Sequence, residues 1–266
     1  MDMNPSLAGS THPAVNVSRV SHTQWRATDD TRVLGQADAT ERPDGRIFIS
    51  IDAWNDIAFD HLAAAMLTDL QGPLHTIVDE SDSDLLVSWK RHGLVPRRRE
   101  LEFRVPTSHQ AVRDALASPP AGITLVPFGM ANEQQLDELD CRIRREVDAA
   151  SGWHTMPVEV LPSPDRRTVI DPARYAIAER DNRYIGLLRV AGRPRQPRLG
   201  LLAIRAEEQG RGVGRILLAF ALDSLRENGV EAATTEVDQT NEIAVRLLEG
   251  FGAQHTGTAR ELERGR

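Results

Sequence analysis

The sequence predicts an α/β fold, because short apolar strands alternate with amphipathic helices through most of its 266 residues. The clearest case is the apolar run Leu199 to Ile204, which leads through a short acidic turn and a glycine-rich loop into an amphipathic helix. A second observation is a long alternation of strands and helices from residue 122 onward. A third is a fainter version of the same order in the first half of the chain. The sequence therefore predicts two related α/β modules.

The elements of the second half follow from periodicity and from the residues that form turns. Asp181-Asn182 separates two alternating apolar runs and predicts a hairpin, whereas residues 150–172 are rich in proline and predict a loop. In chain order we expect a strand at 123–128, a helix at 132–147, strands at 175–179, 184–190 and 199–204, a helix after the glycine loop, a strand at 232–238, a helix from 242 and a last strand.

The glycine loop Gln209 to Gly214 predicts an anion site. The first amides of a helix lack internal partners and carry partial positive charge, and glycines let a phosphate approach them closely. A P-loop is excluded because Arg215-Ile216 stands where Lys-Ser/Thr is required. A dinucleotide fingerprint starting at Gly212 would need glycine at Leu217, and too little chain follows for a doubly wound sheet.

Two motifs in the second half resemble a known family. Gln209, Gly212 and Gly214 fit the pattern Gln/Arg-x-x-Gly-x-Gly/Ala, and the segment Asn241 to Gly252 is similar to Asn-x-x-Ala-x-x-Leu-Tyr-x-x-x-Gly-Phe. The chain thus resembles the GNAT superfamily of acetyl-CoA-dependent N-acetyltransferases over about 122–266. The resemblance implies an α+β fold with a mixed, mostly antiparallel sheet flanked by helices, in a tandem of a truncated and a complete copy.

The resemblance also assigns the residues that hold acetyl-CoA, the acyl donor. The loop amides should bind the pyrophosphate, the edge of the Leu202 strand should pair with the pantetheine arm, and an amide near Ala203 or Ile204 should donate to the acetyl carbonyl. Asn241 matches the family asparagine that contacts the CoA arm. The full set expected to bind acetyl-CoA is Leu202, Ala203, Ile204, Gln209, Gly210, Arg211, Gly212, Val213, Gly214, Arg215 and Asn241.

The expected reaction is direct attack by an amine, with a carboxylate or a water chain as general base. Glu236 and Asp238 share one face of a predicted strand and are the candidate catalytic bases, although each could instead be a paired or turn-forming residue. The family tyrosine that protonates the leaving thiolate falls at Leu248, which cannot donate a proton. Trp153, His154 and Tyr175 lie where the resemblance places the acceptor pocket.

The first half is predicted to bind no CoA. Sliding the sequence by 159 residues places Thr76-x-Val78-Asp79 on Thr235-x-Val237-Asp238. The phosphate loop then corresponds to residues 52–56, which have no glycine and carry two aspartates that would repel phosphate. The predicted elements here are a strand at 46–51, a helix at 56–70, a strand at 75–79, a helix at 83–92 and a strand at 101–105.

Composition restricts the class of protein. The net charge of −7 argues against nucleic acid as a partner, and no apolar run approaches the ~20 residues that a membrane helix needs. The N-terminal segment is polar and has no apolar signal core. The single cysteine, Cys141, excludes an internal disulfide and a thiolate metal cluster within one chain. We expect a cytoplasmic protein without a metal, and the sequence leaves monomer and homodimer open.

The predicted organisation has four segments, and three functions stay open. The segments are a flexible tail at 1–19, a truncated module at 20–107, a linker or connecting helix at 108–121 and a complete GNAT domain at 122–266. The favoured function is acetyl transfer to the primary amine of a small metabolite. One alternative is a non-catalytic acyl-CoA-binding or regulatory protein, which Leu248 in place of the family tyrosine favours. The other is an acetyltransferase acting on a peptide or protein amine.

Overall fold

The structure, a computed structural model, describes residues 14–30, 32–42, 45–150 and 170–264. The chain divides into two compact units, one formed by residues 1–78, 82–96 and 262–266 and the other by residues 79–81 and 97–261. None of the helices in the described ranges is long and apolar enough to cross a membrane.

The first unit is a sheet with two helices. Four strands form an antiparallel meander, and the fifth pairs in parallel with the fourth at Ile47 and Leu74. In chain order its elements are β1 (Asn16–Ser21), β2 (Gln24–Thr28), β3 (Val33–Glu41), β4 (Ile47–Ala53), α1 (Asp56–Asp69), β5 (Leu74–Asp79) and α2 (Ser83–Arg91).

Helix α1 covers the core of this unit. Its buried residues recur at the spacing of one helical face: Ala58, Phe59, Leu62, Ala63 and Met66. They pack in one cluster with the buried rings of Trp25 and Trp89. The indole of Trp25 donates to the Asp69 carboxylate at 2.8 Å, so this large ring is buried with its polar atom satisfied.

The second unit is built on the strand order β12-β6-β11-β10-β9-β8-β7. From β6 to β7 the neighbours pair antiparallel except β10 and β11, which are parallel. In chain order its elements are β6 (Leu94–Pro106), α3 (Gln110–Ala117), β7 (Thr124–Val126), α4 (Glu133–Ala150), β8 (Tyr175–Arg180), β9 (Arg183–Arg193), β10 (Gln196–Ile204), α5 (Val213–Glu227), β11 (Ala232–Asp238), α6 (Glu242–Glu249) and β12 (Gln254–Arg264). The first residues of β6 and the last residues of β12 belong to the first unit.

Both faces of this sheet are covered by helices. On one face α5 buries Leu218 and Leu222 in a cluster with Val112 of α3 and with Phe251. On the other face α4 packs residues such as Leu136 against Tyr175 and Leu187. Side chains alternate between the α5 face and the α4 face along each strand, except at register shifts such as the one in β10 between Leu199 and Leu201.

Most predicted elements are present, whereas strands β1 to β3 were not predicted and some elements cross the predicted segment boundaries. Residues 16–19, counted with the predicted tail, are part of β1, and most of the tail lies outside the described residues. The predicted linker contains α3, whose buried Val112 belongs to the core of the second unit. Residues 97–106 also belong to that unit, because β6 pairs with β11 from Ala232 to Asp238. The four segments remain a prediction about modules and differ from the compact units.

A charged network fixes the far end of β11. The Glu80 carboxylate accepts hydrogen bonds from the guanidinium groups of Arg99 and Arg260. Arg99 also donates to the side chain of Gln239 at 2.8 Å, and the Gln239 amide donates to the Arg99 carbonyl at 3.0 Å. Gln239 directly follows the last residue of β11, so Glu80 helps to hold this strand end in place. The hydrogen bonds from Arg99 and then Arg260 lower the pKa of Glu80 from its usual 4.5.

We predict that Glu80→Gln is less stable than wild type only at pH values at which the wild-type Glu80 carboxylate is ionised. A lowered pKa in the folded state stabilises the protein at pH values above the unfolded pKa, and this contribution is lost as the pH falls through the folded pKa. The free energies of unfolding of wild type and variant, measured in urea, should therefore differ at pH 7 and converge below about pH 4. An equal difference at pH 7 and at pH 3 would contradict this assignment.

Candidate active site

Strands β10 and β11 separate along their length. Within the described residues their parallel pairing is registered at Arg198 and Thr234 alone. Beyond that point β10 stays paired with β9 up to Ile204, whereas β11 stays paired with β6 up to Asp238. The facing edges of the two strands are thus unpaired toward their carboxyl ends, which leaves backbone groups for an extended ligand.

The open edge of β10 presents particular amides. The Arg205 amide donates to the Ile185 carbonyl on β9 at 2.9 Å. Because successive residues of a strand point their amides to opposite edges, Ala203 faces β9, and Leu202 and Ile204 face the opening. Of the two amides expected to bind the acetyl carbonyl, that of Ile204 therefore has the required direction and that of Ala203 does not.

The glycine loop after β10 ends at the amino terminus of α5. Gly210 and Gly212 have φ angles of +74° and +79°, in the left-handed region that glycine adopts without steric cost, so the backbone conformation requires glycine at both positions. Gly214 has no such constraint, and a Cβ atom there would meet nothing closer than 3.8 Å. Gly212 occupies the N-cap of α5 and gives no side-chain hydrogen bond to the first turn. The amides at Val213 to Arg215 are left for an anion, which fits the expected pyrophosphate site.

Side chains tie the loop to its surroundings. Gln209, the first residue of the motif, donates a hydrogen bond from its side-chain amide to the Ile204 carbonyl at 3.1 Å and so joins the loop to the end of β10. Glu146 of α4 accepts from the Ala206 amide at 2.8 Å. These contacts give Gln209 a structural role that is compatible with the expected contact of its backbone with CoA.

The two loop arginines already have partners. Arg211 contacts the Glu208 carboxylate at 3.4 Å, and Glu208 also pairs with Arg180 at 2.6 Å. The guanidinium of Arg215 lies 5.3 Å from the centre of the Phe251 ring. Both side chains are exposed at the amino end of α5 and lie in the region where they could contact a phosphate.

Helix α6 adjoins the loop. Asn241 caps it, accepting a hydrogen bond from the Ala244 amide at 3.1 Å, which is the expected structural role; its contact with the CoA arm stays a prediction. Leu248, at the position of the family tyrosine, is buried in the core on the α5 face. The neighbouring Leu247 is the residue of α6 whose side chain approaches the Gly214 position, at 4.0 Å from a Cβ built there. Neither residue can protonate a thiolate.

The candidate bases Glu236 and Asp238 lie on the α4 face of β11. Glu236 is exposed and forms an ion pair with Arg198 of β10. Asp238 accepts hydrogen bonds from the amide of Thr240 at 2.9 Å and from its hydroxyl at 2.6 Å. Asp238 is therefore a turn residue in this structure, and Glu236 is the more accessible of the two carboxylates.

Other residues considered from the sequence contribute less to the site. Trp153 and His154 lie outside the described residues. Tyr175 is 2 % exposed, and burial raises the pKa of its phenol, so it is a core residue. Desolvation and the nearby Asp137 raise the pKa of the Cys141 thiol, which disfavours a thiolate nucleophile. Among the described residues no group of His, Cys, Asp or Glu is arranged to hold a metal.

The corresponding place in the first unit is built differently. Helix α1 also follows a strand that pairs in parallel with its neighbour, but the Asn55 side chain accepts from the Ala58 amide at 2.8 Å and so caps the helix itself. Asp52 and Asp56 add negative charge around this terminus. Trp54 between them is 84 % exposed. An anion would meet a capped helix and like charges.

Sequence reasoning missed Arg198 and Glu102 as parts of this region. Arg198 pairs with Glu236, and Glu102 of β6 lies directly opposite Glu236 in the antiparallel register. The pairing of β6 with β11 could not be deduced, because β6 lies about 130 residues before β11 and was assigned to the other module. An arginine at the start of an apolar strand was the one visible signal.

Comparison with known proteins agrees with this geometry. The family model described as the acetyltransferase (GNAT) family matches residues 141–253. Mycothiol acetyltransferase of Acidothermus cellulolyticus is 32% identical over 271 residues, covering 91% of this chain and 79% of that protein. The enzyme of the same name from Acidimicrobium ferrooxidans is 33% identical over 112 residues, and this alignment covers only 39% of this chain and 36% of that protein.

A tandem GNAT protein from the clavulanic acid biosynthesis pathway has a similar fold, with a TM-score of 0.64 at 17% identity, covering 96% of this chain and 85% of that chain. The present chain belongs to the acetyltransferase (GNAT) family. The predicted family and fold are thereby confirmed.

We predict that Gly214→Asp weakens acetyl-CoA binding by at least a hundredfold, because a carboxylate beside the first amides of α5 repels the pyrophosphate and fills its place. Gly214→Ala is the matched control. A methyl group has room here, so the alanine variant should bind acetyl-CoA like wild type and unfold at the same or a slightly higher temperature. Isothermal calorimetry and thermal unfolding measure both effects. Normal affinity in Gly214→Asp would refute the loop assignment.

We further predict one acetyl-CoA site per chain. The capped and acidic terminus of α1 should not bind the donor, so calorimetric titration should give a stoichiometry of about one. Replacing Asp52 and Asp56 by asparagine together should leave that stoichiometry unchanged, since the Asn55 cap persists. A second site in wild type would show that the first unit binds CoA.

Proposed function

We propose that the protein is an acetyl-CoA-dependent N-acetyltransferase that transfers an acetyl group to the primary amine of a small metabolite. The observation that carries this proposal is the uncapped amino terminus of α5 next to the unpaired edge of β10. These features suit the two parts of the donor, a pyrophosphate and an extended arm with amide groups. Family membership and the relatives named mycothiol acetyltransferase support the reaction class.

The donor-binding residues follow from this arrangement. The amides at the start of α5 would hold the pyrophosphate, and Arg211 and Arg215 could each exchange its present partner for a phosphate oxygen. The open edge of β10, at Leu202 and Ile204, would pair with the pantetheine arm. When bound, acetyl-CoA supplies an activated acyl group in the form of a thioester.

Acetyl transfer requires an oxyanion donor and a base. In the proposed reaction the amine nitrogen attacks the thioester carbonyl carbon, and the Ile204 amide stabilises the negative charge that develops on the oxygen. Glu236 accepts the proton that the amine loses. The carbon–sulfur bond then breaks, and the CoA thiolate takes a proton from water. A thiol with a pKa near 8.5 leaves readily as the thiolate, so the reaction needs no proton donor at Leu248, where the family has tyrosine.

A non-catalytic acyl-CoA-binding protein is the second candidate, and the burial of Leu248 is the observation that favours it. Turnover separates the two functions. Purified protein should release CoA thiol in the presence of a small primary amine, and mass spectrometry should find the amine heavier by one acetyl group. A protein that binds acetyl-CoA but acetylates no member of a broad panel of amines and peptides would be the non-catalytic form. Preference for peptides would indicate the protein-modifying alternative.

We predict that Glu236→Gln lowers kcat about a hundredfold, because the amide cannot accept a proton, while the affinity for acetyl-CoA stays normal. The acidic limb of the kcat/KM profile should disappear in this variant. Asp238→Asn serves as the comparison, since Asp238 holds the turn at Thr240, and it should retain that limb even if the protein is less stable. If Asp238→Asn alone loses the acidic limb, Asp238 is the base and Glu236 is not.

A further inference from the structure

Three neighbouring strands place one arginine on the face that carries the candidate base. In the antiparallel registers, Arg189 of β9 lies opposite Tyr175 of β8 and opposite Leu201 of β10. Directly opposed residues share a face, and both of these partners pack in the cluster on the α4 face. Glu236 of β11 shares this face, because its neighbour Val237 packs on the α5 face. Arg189 and Glu236 therefore flank β10 on one side of the sheet.

The guanidinium of Arg189 lies across β10, at the start of the opening. Gly200 of β10 lies at the register shift of this strand, and a Cβ atom built there would be 3.5 Å from Nη1 of Arg189. The guanidinium thus occupies space beside β10 that a longer side chain would take. The pairing of β10 with β11 is registered just before this point, at Arg198 and Thr234. Strand β11 is one strand spacing, about 4.8 Å, further along the sheet.

One donor atom of this guanidinium is unsatisfied. Nη1 of Arg189 is buried and has no hydrogen-bond partner among the described residues. The adjacent Tyr175 is not a counter-ion, because burial raises the pKa of its phenol and keeps it neutral at pH 7. A buried donor without an acceptor costs free energy. Arg189 as a whole is partly exposed, so a ligand that carries an anion could supply the missing partner.

The carboxylates around Arg189 already have cationic partners. On α4, Asp140 forms an ion pair with Arg144. On β11, Glu236 pairs with Arg198, and both of these arginines have a further interaction as well. Within the ranges that the structure describes, Arg189 itself forms no ion pair. An anion that enters from the opening would therefore find its countercharge at Arg189.

A carboxylate beside the reacting amine fits this arrangement. The planar guanidinium of arginine binds a carboxylate through two parallel hydrogen bonds. In an α-amino acid the amine and the carboxylate are attached to one carbon atom. The amine can then lie at the opening near Glu236 while the carboxylate contacts Arg189 over the adjacent strand. An amine without an anionic group would leave the guanidinium donor unsatisfied.

We propose that Arg189 binds the carboxylate of the acceptor and that the acceptor is an α-amino acid whose amine is acetylated. This inference rests on the proposed function, since it names the substrate class of the same site. It makes Arg189 a residue that determines specificity. Gly200 leaves room for the Arg189 guanidinium beside the opening.

The test compares amines that differ only in the carboxylate. Initial rates of acetyl transfer are measured for alanine, methionine and phenylalanine and for the corresponding amino-acid amides, with O-phosphoethanolamine as an amine that carries a phosphate. Wild type should favour the free acids by more than about tenfold in kcat/KM. A carboxylate raises the pKa of the neighbouring amine and lowers its neutral fraction, which alone would favour the amides. Preference for the acids therefore reports binding of the carboxylate.

Two variants of Arg189 separate its charge from its shape. Arg189→Gln should lower kcat/KM for the free acids at least about tenfold, mainly through KM, and should change that for the amides less than about threefold. Arg189→Lys keeps the charge but loses the planar fork, so it should retain an intermediate preference. Arg193→Gln, which removes an exposed arginine from the same strand, is the matched control and should behave like wild type.

Thermal unfolding without ligand tests whether Arg189 has only a structural role. Arg189→Gln should unfold at the wild-type temperature or above it, because no ion pair is lost with the charge. The preference for acids over amides is a ratio measured in one preparation, so it does not depend on how much of the variant is folded.

Several outcomes would contradict the proposal. Equal use of acids and amides by wild type would overturn it, while acetylation itself would uphold the proposed function. An unchanged preference in Arg189→Gln would remove Arg189 from the acceptor site. Faster acetylation of O-phosphoethanolamine than of any amino acid would indicate a phosphate in place of the carboxylate. If wild type binds acetyl-CoA but acetylates no amine, the proposed function fails, and the inference fails with it.

Discussion

The candidate site depends on one interrupted interaction, the parallel pairing of β10 with β11. Each strand keeps its outer neighbour, so both remain ordered when their mutual pairing ends beyond Arg198 and Thr234. The unpaired edges leave backbone groups that need partners from water or from a ligand. The hydroxyl of Thr235 donates to the Leu199 carbonyl at 3.0 Å, which satisfies one such group where the opening begins.

The amino termini of α1 and α5 differ in what they offer an anion. Helices α1 and α5 occupy similar places in their units, each after a strand with a parallel neighbour. Helix α1 begins after Asn55, whose side chain caps the helix, and aspartates lie on either side of it. Helix α5 begins after Gly212, which has no side chain that could form a cap. A few side chains at one helix terminus would thus separate the expected binding terminus from the one expected to bind no anion, although the backbone topology is shared.

The sequence allowed the order of elements around the site to be predicted, because glycines, turn residues and apolar periodicity are local signals. The loop from Gln209 to Gly214 and the helix that follows it are where they were expected. Strands β1 to β3 were not predicted. Strand β3 buries Ala37 and Ala39 where a recognisable strand would have larger β-branched residues, so its alternation is weak in the sequence. The segment of α3 was predicted as a linker or connecting helix because of its small residues and the Pro119-Pro120 pair that follows it.

The charges of the site could not be predicted, because they depend on pairing between distant strands. Glu236 was a candidate because it shares one face of a predicted strand with Asp238, but its opposite neighbour Glu102 is brought in by β6. The ion pair of Glu236 with Arg198 likewise depends on the register of β10 and β11. The charges around Glu236 therefore follow from strand pairing between distant segments, which no local signal in the sequence encodes.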